Sequence, residues 1–348
     1  MRRPSSPGRF RTVLGPSMAA LLSAGWLAGC GIVHAASHPV SHRAPPAALT
    51  WIGEPQAGFG PWQAALQQAR TGVALNQYLL TDTAYAQALI HLAQRGIPVQ
   101  VILAANPYHD AAAVGEERHL FAGTHVQLHW ATGRFDQPYA TDHAKYLVVN
   151  PGRPNALAII GSPNGTASAF DGWNAEAVIE TTEPAITKAL TAVFHADWTG
   201  HSAGSAVRRT LVLSPGAMGP LVQLLRTPGP VAIATEDLGD VPTLYAALAA
   251  HGATGRLLIP PDAVQSAAAR QRLATLIRAG VQVRTLATPY IHAKLMITAH
   301  ETWVGSQNWS EPSLMNNREV GLMTSDAAIH TAALTWFNGL WRQAHALR

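Results

Sequence analysis

Cysteine is nearly absent. Cys30 stands alone in 348 residues, so no intrachain disulfide can form. Charge is sparse, at 13% of residues. Beyond the N-terminal region no run approaches 18 continuous apolar residues, which leaves no second candidate for a membrane-spanning helix. There is no His-Glu-x-x-His, and His91, His125, His195 and His201 fit no metal-ligand spacing, so packing or surface exposure accounts for them. No acidic residue precedes Glu54, whereas Arg2, Arg3, Arg9 and Arg11 lie in the first eleven positions. Without residues 1–29, 20 basic residues face 20 acidic ones. The high overall pI is therefore largely a property of the leader, and the broad basic footprint of a phosphate-gripping nucleic-acid binder is missing, although a local patch stays open.

What is present begins with an Arg-bearing stretch (1–11) followed by an Ala/Leu-rich stretch from Val13 to Ala28, the layout of an export signal. It is too short and too interrupted by Gly and Pro for a good membrane span. It ends in Leu27-Ala28-Gly29-Cys30, which resembles a bacterial lipoprotein signal with Cys30 as the lipidated first residue. A plain secretory cut near Val33-His34-Ala35 is the other reading. The expected organisation is a signal at 1–29, a His/Pro/Ala/Ser-rich tether at 30–48, a first half at 49–205 and a second half at 206–348.

The two halves repeat one pattern, and that repeat decides the fold class. The first copy runs as strand Leu49–Pro55, a helix containing Gly60-Pro61 to about Ala69, strand Val73–Leu80, a helix over about 83–95, and strands Val99–Leu103 and Val126–Trp130. The second runs as strand Thr210–Pro215, a helix from Gly219-Pro220, strand Val231–Asp240, a helix over about 241–250, strand Arg256–Ile259, a helix from about 266 to Gly280, and strand Val281–Leu286. Val231–Asp240 matches Val73–Asp82 in position and pattern. Strands alternating with helices predict an α/β class. Residues 105–122, 131–142 and 260–268 read as loops.

Each copy then delivers the same polar set. Asp142-His143-Ala144-Lys145 and Ile291-His292-Ala293-Lys294 each open an apolar run. Residues two apart on a strand face one side, so imidazole and ammonium project together. A second strand follows, ending in Gly161-Ser162-Pro163-Asn164 and Gly305-Ser306-Gln307-Asn308. A third is preceded by Asn174-Ala175-Glu176 and Asn317-Arg318-Glu319. His-x-Lys, Gly-Ser-x-Asn and a downstream Glu, present twice, resemble the phospholipase D superfamily over about residues 49–348. The resemblance implies an α/β fold of two pseudo-symmetric α/β/α sandwich halves, packed face to face with the active site at their interface. It also implies a covalent phosphohistidine mechanism, with His143 as nucleophile and His292 as general acid. The near-symmetry of the motifs leaves the reverse assignment open. One departure stands out: where the family places Asp seven residues after His, this chain has Asn150 and Ala299, which puts local rigidity in question.

These residue types suit phosphodiester cleavage. A neutral imidazole is a nucleophile at pH 7, and a second, protonated one can protonate the leaving oxygen. Lys145 and Lys294 would neutralise the non-bridging oxygens, and Asn164 and Asn308 would donate to them, forming a preorganised clamp that needs no metal or cofactor. Glu176 and Glu319 would each accept an imidazole N–H and set its tautomer. Ser162 and Ser306 are candidate substrate-binding groups. Trp130, Trp173, Trp303 and Trp309 lie near the motifs and read equally as core or as channel wall. The leading expectation is an exported, monomeric phospholipase D-like phosphodiesterase, hydrolysing or transphosphatidylating phospholipid, in the envelope or secreted. A lipid anchor on Cys30 would bring it to the membrane surface. An exported nuclease of the same superfamily and a non-catalytic phospholigand-binding envelope protein are the alternatives.

Overall fold

The computed structural model describes residues 48–108 and 110–347. The expected signal (1–29), Cys30 and the tether up to residue 47 lie outside the described residues.

Two large mixed sheets carry the chain. The first has seven strands in the order Leu49–Gly53, Ala177–Thr181, Leu157–Gly161, Tyr146–Val149, Val73–Gln77, Val99–Leu103 and Gln127–Trp130. The second repeats that order with Leu211–Ser214, Glu319–Thr324, Thr302–Gly305, Lys294–Ile297, Val231–Thr235, Gly255–Ile259 and Gln282–Thr285. It adds His345–Ala346 at its edge. In each sheet the last three strands of the repeat run parallel and the others antiparallel. The two-copy α/β architecture expected from the sequence is thus present, with most strands one to three residues shorter than the apolar runs suggest.

The central strands are buried on both faces, which is why they read as continuous apolar runs. Along Tyr146–Val149, Tyr146 and Val148 enter one cluster while Leu147 and Val149 enter another, the alternation a pleated strand imposes. The first of these clusters is shared by the two halves. It joins Ala74, Tyr146, Val148 and Ile160 of one sheet to Ala232, Leu295, Ile297 and Val304 of the other. Helices Pro184–Thr199 and Ala327–Gln343 complete it with Leu190, Val193 and Phe337. The outer faces are covered by Gly60–Leu66 and Thr83–Gln94 on one side, and by Met218–Leu225, Pro242–Ala249 and Ala267–Arg278 on the other. A buried ion pair crosses the seam, from Arg318 Nη2 to Asp197 Oδ1 at 2.6 Å.

One expectation about the fold needs correction. The stretch 105–122 is not simply loop, because it holds helix Ala111–Phe121. Gly115 and the charged Glu116-Glu117-Arg118 interrupt its apolar period, and Glu117 is buried, accepting a hydrogen bond from Leu80 N at 2.6 Å. The rigidity left in question at Asn150 is supplied by its own side chain. Asn150 sits in the left-handed region at φ 53°, and its Oδ1 accepts from Arg70 N at 2.7 Å and Thr71 N at 3.0 Å. Its Nδ2 donates to Gln68 O at 3.0 Å. An amide therefore ties the end of the motif strand to the turn that follows helix Gly60–Leu66. In the second half Ala299 has no such reach, and Thr298 Oγ1 instead accepts from Glu301 N at 3.1 Å. Asn150→Ala removes these bonds and places a Cβ-branchless but non-glycine residue at positive φ. It is expected to lower unfolding free energy by about 2–4 kcal/mol, with Asn150→Gly less harmful because glycine tolerates that φ. Urea unfolding checks this, and an unchanged midpoint for the Ala variant would show that the bonds contribute nothing.

Candidate active site

Each His-x-Lys lies at the entrance to a central strand, Tyr146–Val149 or Lys294–Ile297. The lysines are almost fully buried, and each Nζ folds back onto its own motif. Lys145 donates to His143 O at 2.8 Å and Lys294 to His292 O at 2.7 Å. The neighbouring strand packs so closely that a Cβ on Gly161 would fall on Ala177 O and Val178 Cα. On Gly305 it would fall on Gln307 Oε1 and Gly321 Cα. Glycine in both Gly-Ser-x-Asn segments follows from that close approach.

The carboxylates are exchanged between halves. His143 Nδ1 lies 2.9 Å from Glu319 Oε2, and His292 Nδ1 lies 2.7 Å from Glu176 Oε1. Short backbone pairings produce the exchange. His143 N donates to Arg318 O at 2.8 Å, and Arg318 N donates to Thr141 O at 3.0 Å. Tyr290-Ile291 pairs in parallel with Asn174-Ala175, and His292 N donates to Ala175 O at 3.2 Å. Each histidine is therefore laced to the residue just before the other half's glutamate. Asn174 Nδ2 and Asn317 Nδ2 each donate to the glutamate two residues on, at 3.1 and 3.2 Å.

His143, His292, Asn164 and Asn308 all line one cleft of about 710 Å³. The Oδ1 atoms of both asparagines are buried and have no hydrogen-bond partner among the described residues, so both amides remain uncommitted. Ser162 and Ser306 are placed elsewhere than a substrate-binding role requires. Both are fully buried behind the carboxylates. Ser162 Oγ donates to Glu176 Oε2 at 2.5 Å and accepts from Ala177 N at 3.0 Å, and Ser306 Oγ accepts from Val320 N at 3.0 Å. They orient the glutamates rather than meet a ligand. Of the four tryptophans, Trp303 and Trp309 are core residues, Trp130 is half-buried and Trp173 is exposed.

Three residues of the site were missed by the sequence reading. Ser313 Oγ donates to Glu319 Oε1 at 2.6 Å, and no pattern in the sequence marks it. Tyr78 and Glu236 each follow the strand beside the motif strand, at equivalent places in the two halves. The Tyr78 ring stands edge-on to His143 with centroids 4.5 Å apart, and Lys145 Nζ lies 5.0 Å from its centre. Glu236 Oε2 lies 2.6 Å from Lys294 Nζ and 3.4 Å from His292 Nε2. The match of Val231–Asp240 with Val73–Asp82 already held this signal: a carboxylate ending an apolar strand next to the motif strand.

The chain matches the family described as cardiolipin synthase, PLD-like domain, over residues 63–198 and 231–341, both halves included. It belongs to the phospholipase D superfamily. Searching curated proteins finds no match. Among solved structures, phosphatidylserine synthase from Haemophilus influenzae Rd KW20 is similar with a TM-score of 0.63 at 11% identity, covering 86% of this chain and 87% of that one. Polyphosphate kinase from Porphyromonas gingivalis is similar with a TM-score of 0.62 at 16% identity. That match covers 84% of this chain, and this chain spans 47% of the kinase. Nuc from Salmonella typhimurium, a phospholipase D family member, covers 40% of this chain and 96% of its own at 16% identity, with a TM-score of 0.36. At these identities the likenesses to the synthase and the kinase establish the fold alone.

In this phospholipase D superfamily site, burial is the main electrostatic influence. It holds His143 well below the usual histidine value, reinforced by Lys145 and Lys294, so the ring is neutral near pH 7. Burial lowers Lys145 to about 7, with Glu319 opposing, and raises Glu319 to about 7, with Lys145 opposing. For Glu176 and Glu236 burial also acts upward. His292 and Lys294 outweigh it and hold both carboxylates below their usual range. A pH profile follows. Below pH 7 Glu319 takes up a proton and the His143 N–H loses its anionic acceptor. Above pH 7 the unliganded enzyme loses the Lys145 charge. The rate parameter kcat/KM is therefore expected to trace a narrow bell centred near pH 7. Glu319→Gln should remove the acid limb and Lys145→Arg should move the alkaline limb upward. A flat profile between pH 6 and 8 would contradict the assignment.

Proposed function

We propose that this protein is a phospholipase D-like phosphodiesterase that hydrolyses phospholipid head groups, or transfers the phosphatidyl group to an alcohol. The chemistry is supported by two imidazoles on one cleft, each oriented through Nδ1 by a carboxylate, with two buried ammonium groups and two uncommitted amides around them. One histidine attacks phosphorus through Nε2 and the other protonates the leaving oxygen, after which water or an alcohol takes the phosphatidyl group.

The observation that carries the lipid reading is the character of the cleft mouth. Its walls include Glu236, Asp237 and Asp262, and no lysine or arginine among the described residues lines it. A polyanionic strand finds no row of cations there to hold its flanking phosphates. The most exposed large hydrophobic side chains gather at the same place. Tyr108 and Tyr139 are 79% and 81% exposed and line the cleft. Trp173 is exposed on the segment whose carbonyl accepts from Tyr290 N, and Met315 lies between the lining residues Ser313 and Asn317. Aromatic side chains of this kind suit a membrane–water boundary. An exported setting, with Cys30 as a lipid anchor, belongs to the same reading.

Purified protein lacking residues 1–30, given phosphatidylcholine, phosphatidylglycerol and DNA in parallel, tests it. Release of choline or glycerol, lost in His143→Ala, is expected, with phosphatidylethanol formed when ethanol is present. Cleavage of DNA alone would replace the lipid reading with a nuclease.

A further inference from the structure

We propose that Glu236 is a positioning residue that makes the two histidines chemically unequal, orienting the Nε2 edge of His292 toward the leaving oxygen so that this ring serves as the acid and His143 as the nucleophile. The inference rests on the phosphodiesterase reading above and deepens it.

The two halves offer nearly the same groups twice, and a symmetric pair has no physical reason to divide the work. The symmetry fails at the position just past the strand beside each motif. In the first half Tyr78 presents an uncharged ring to His143, and its hydroxyl is occupied by Tyr108 N at 2.5 Å. In the second half Glu236 presents a carboxylate 3.4 Å from His292 Nε2. His292 thus has an anion at each ring nitrogen: Glu176 on Nδ1, from the other half, and Glu236 beside Nε2. The cations facing it are Lys294, two residues on, and Lys145 across the cleft, while His143 is neutral near pH 7. Lys294 is already matched by its 2.6 Å contact with Glu236. His143 has a single paired carboxylate, Glu319, with Lys145 and Lys294 acting against a positive ring and Glu236, which touches His292 but not His143, acting for it only at a distance. An adjacent anion stabilises imidazolium, whereas burial beside ammonium groups disfavours it.

The steps balance. The His143 Nε2 lone pair forms an N–P bond as the P–O bond to the leaving alcohol breaks, and the proton on His292 Nε2 goes to that oxygen. Water then attacks phosphorus and returns a proton to His292 Nε2 while the N–P bond breaks.

Glu236→Gln removes the charge at nearly constant shape. Wild type and variant are compared on two diesters that share one phosphoryl group and differ in leaving group, an alkyl alcohol against p-nitrophenol. The phosphoryl group is whichever the wild type accepts, phosphatidyl or thymidylyl. Turnover of the thymidylyl esters alone would therefore refute the lipid reading while leaving this comparison intact. The alkyl ester is expected to slow about 10²-fold or more, and the p-nitrophenyl ester by less than about threefold, because p-nitrophenolate departs without a proton. Equal losses on both esters, or no loss on the alkyl ester, would overturn the proposal. A second measurement needs only wild type: an alkaline quench during p-nitrophenyl ester turnover, then peptide mapping of the phosphohistidine. Label on His143 supports the assignment and label on His292 overturns it, whether or not the variant folds.

Discussion

Replacing either His143 or His292 with Ala is expected to lower kcat/KM by about 10³-fold or more on an alkyl phosphodiester, with cooperative unfolding retained. Both rings line the same cleft, and each is held through Nδ1, leaving Nε2 for chemistry. The double variant should be scarcely worse than the worse single one, since the two groups act on one phosphorus and neither is useful alone. Activity that survives in either single variant to within tenfold would mean that this cleft does not perform the reaction. A midpoint that falls sharply would show instead that the imidazole is a structural link between the halves.

The second large effect concerns the exchanged carboxylates. Glu176→Gln and Glu319→Gln are each expected to cost about 10²–10⁴ in kcat, because an amide can hold the wrong tautomer of the ring it faces. The pairing itself is testable by stability cycles. His143→Ala should couple to Glu319→Gln by about 0.5–3 kcal/mol in unfolding free energy, and His292→Ala should couple likewise to Glu176→Gln. His143→Ala with Glu176→Gln, a pair joined by no hydrogen bond, should be additive to within about 0.5 kcal/mol. Coupling within each half in place of coupling across them would refute the exchanged arrangement. The buried serines predict a graded version of the same effect. Ser162 gives Glu176 a 2.5 Å bond, so losing that hydroxyl should weaken the hold on His292 without touching a ligand.

The parts legible in the chain are those that local rules govern. Strand Val99–Leu103 stands where the apolar run placed it, and Thr83–Gln94 follows its three- and four-residue spacing. His143 with Lys145, and His292 with Lys294, were readable as pairs because a strand repeats every two residues. Helix Ala111–Phe121 escaped notice because Gly115 and buried Glu117 break the period that reveals a helix. The bracing role of Asn150 is not legible in the sequence because the backbone groups it binds, on Arg70 and Thr71, lie about 80 positions earlier in the chain.

From its residue order alone, this chain determines two copies of one α/β unit and the chemical kinds of group each brings to a shared reaction. Periodicity and spacing are short-range properties that a linear string contains. Which glutamate serves which histidine, why the serines stand behind the wall, and what makes the two imidazoles differ were decided only by folding. The histidine and lysine contacts join residues 58 to 176 positions apart through strand order and the packing of one sheet against the other.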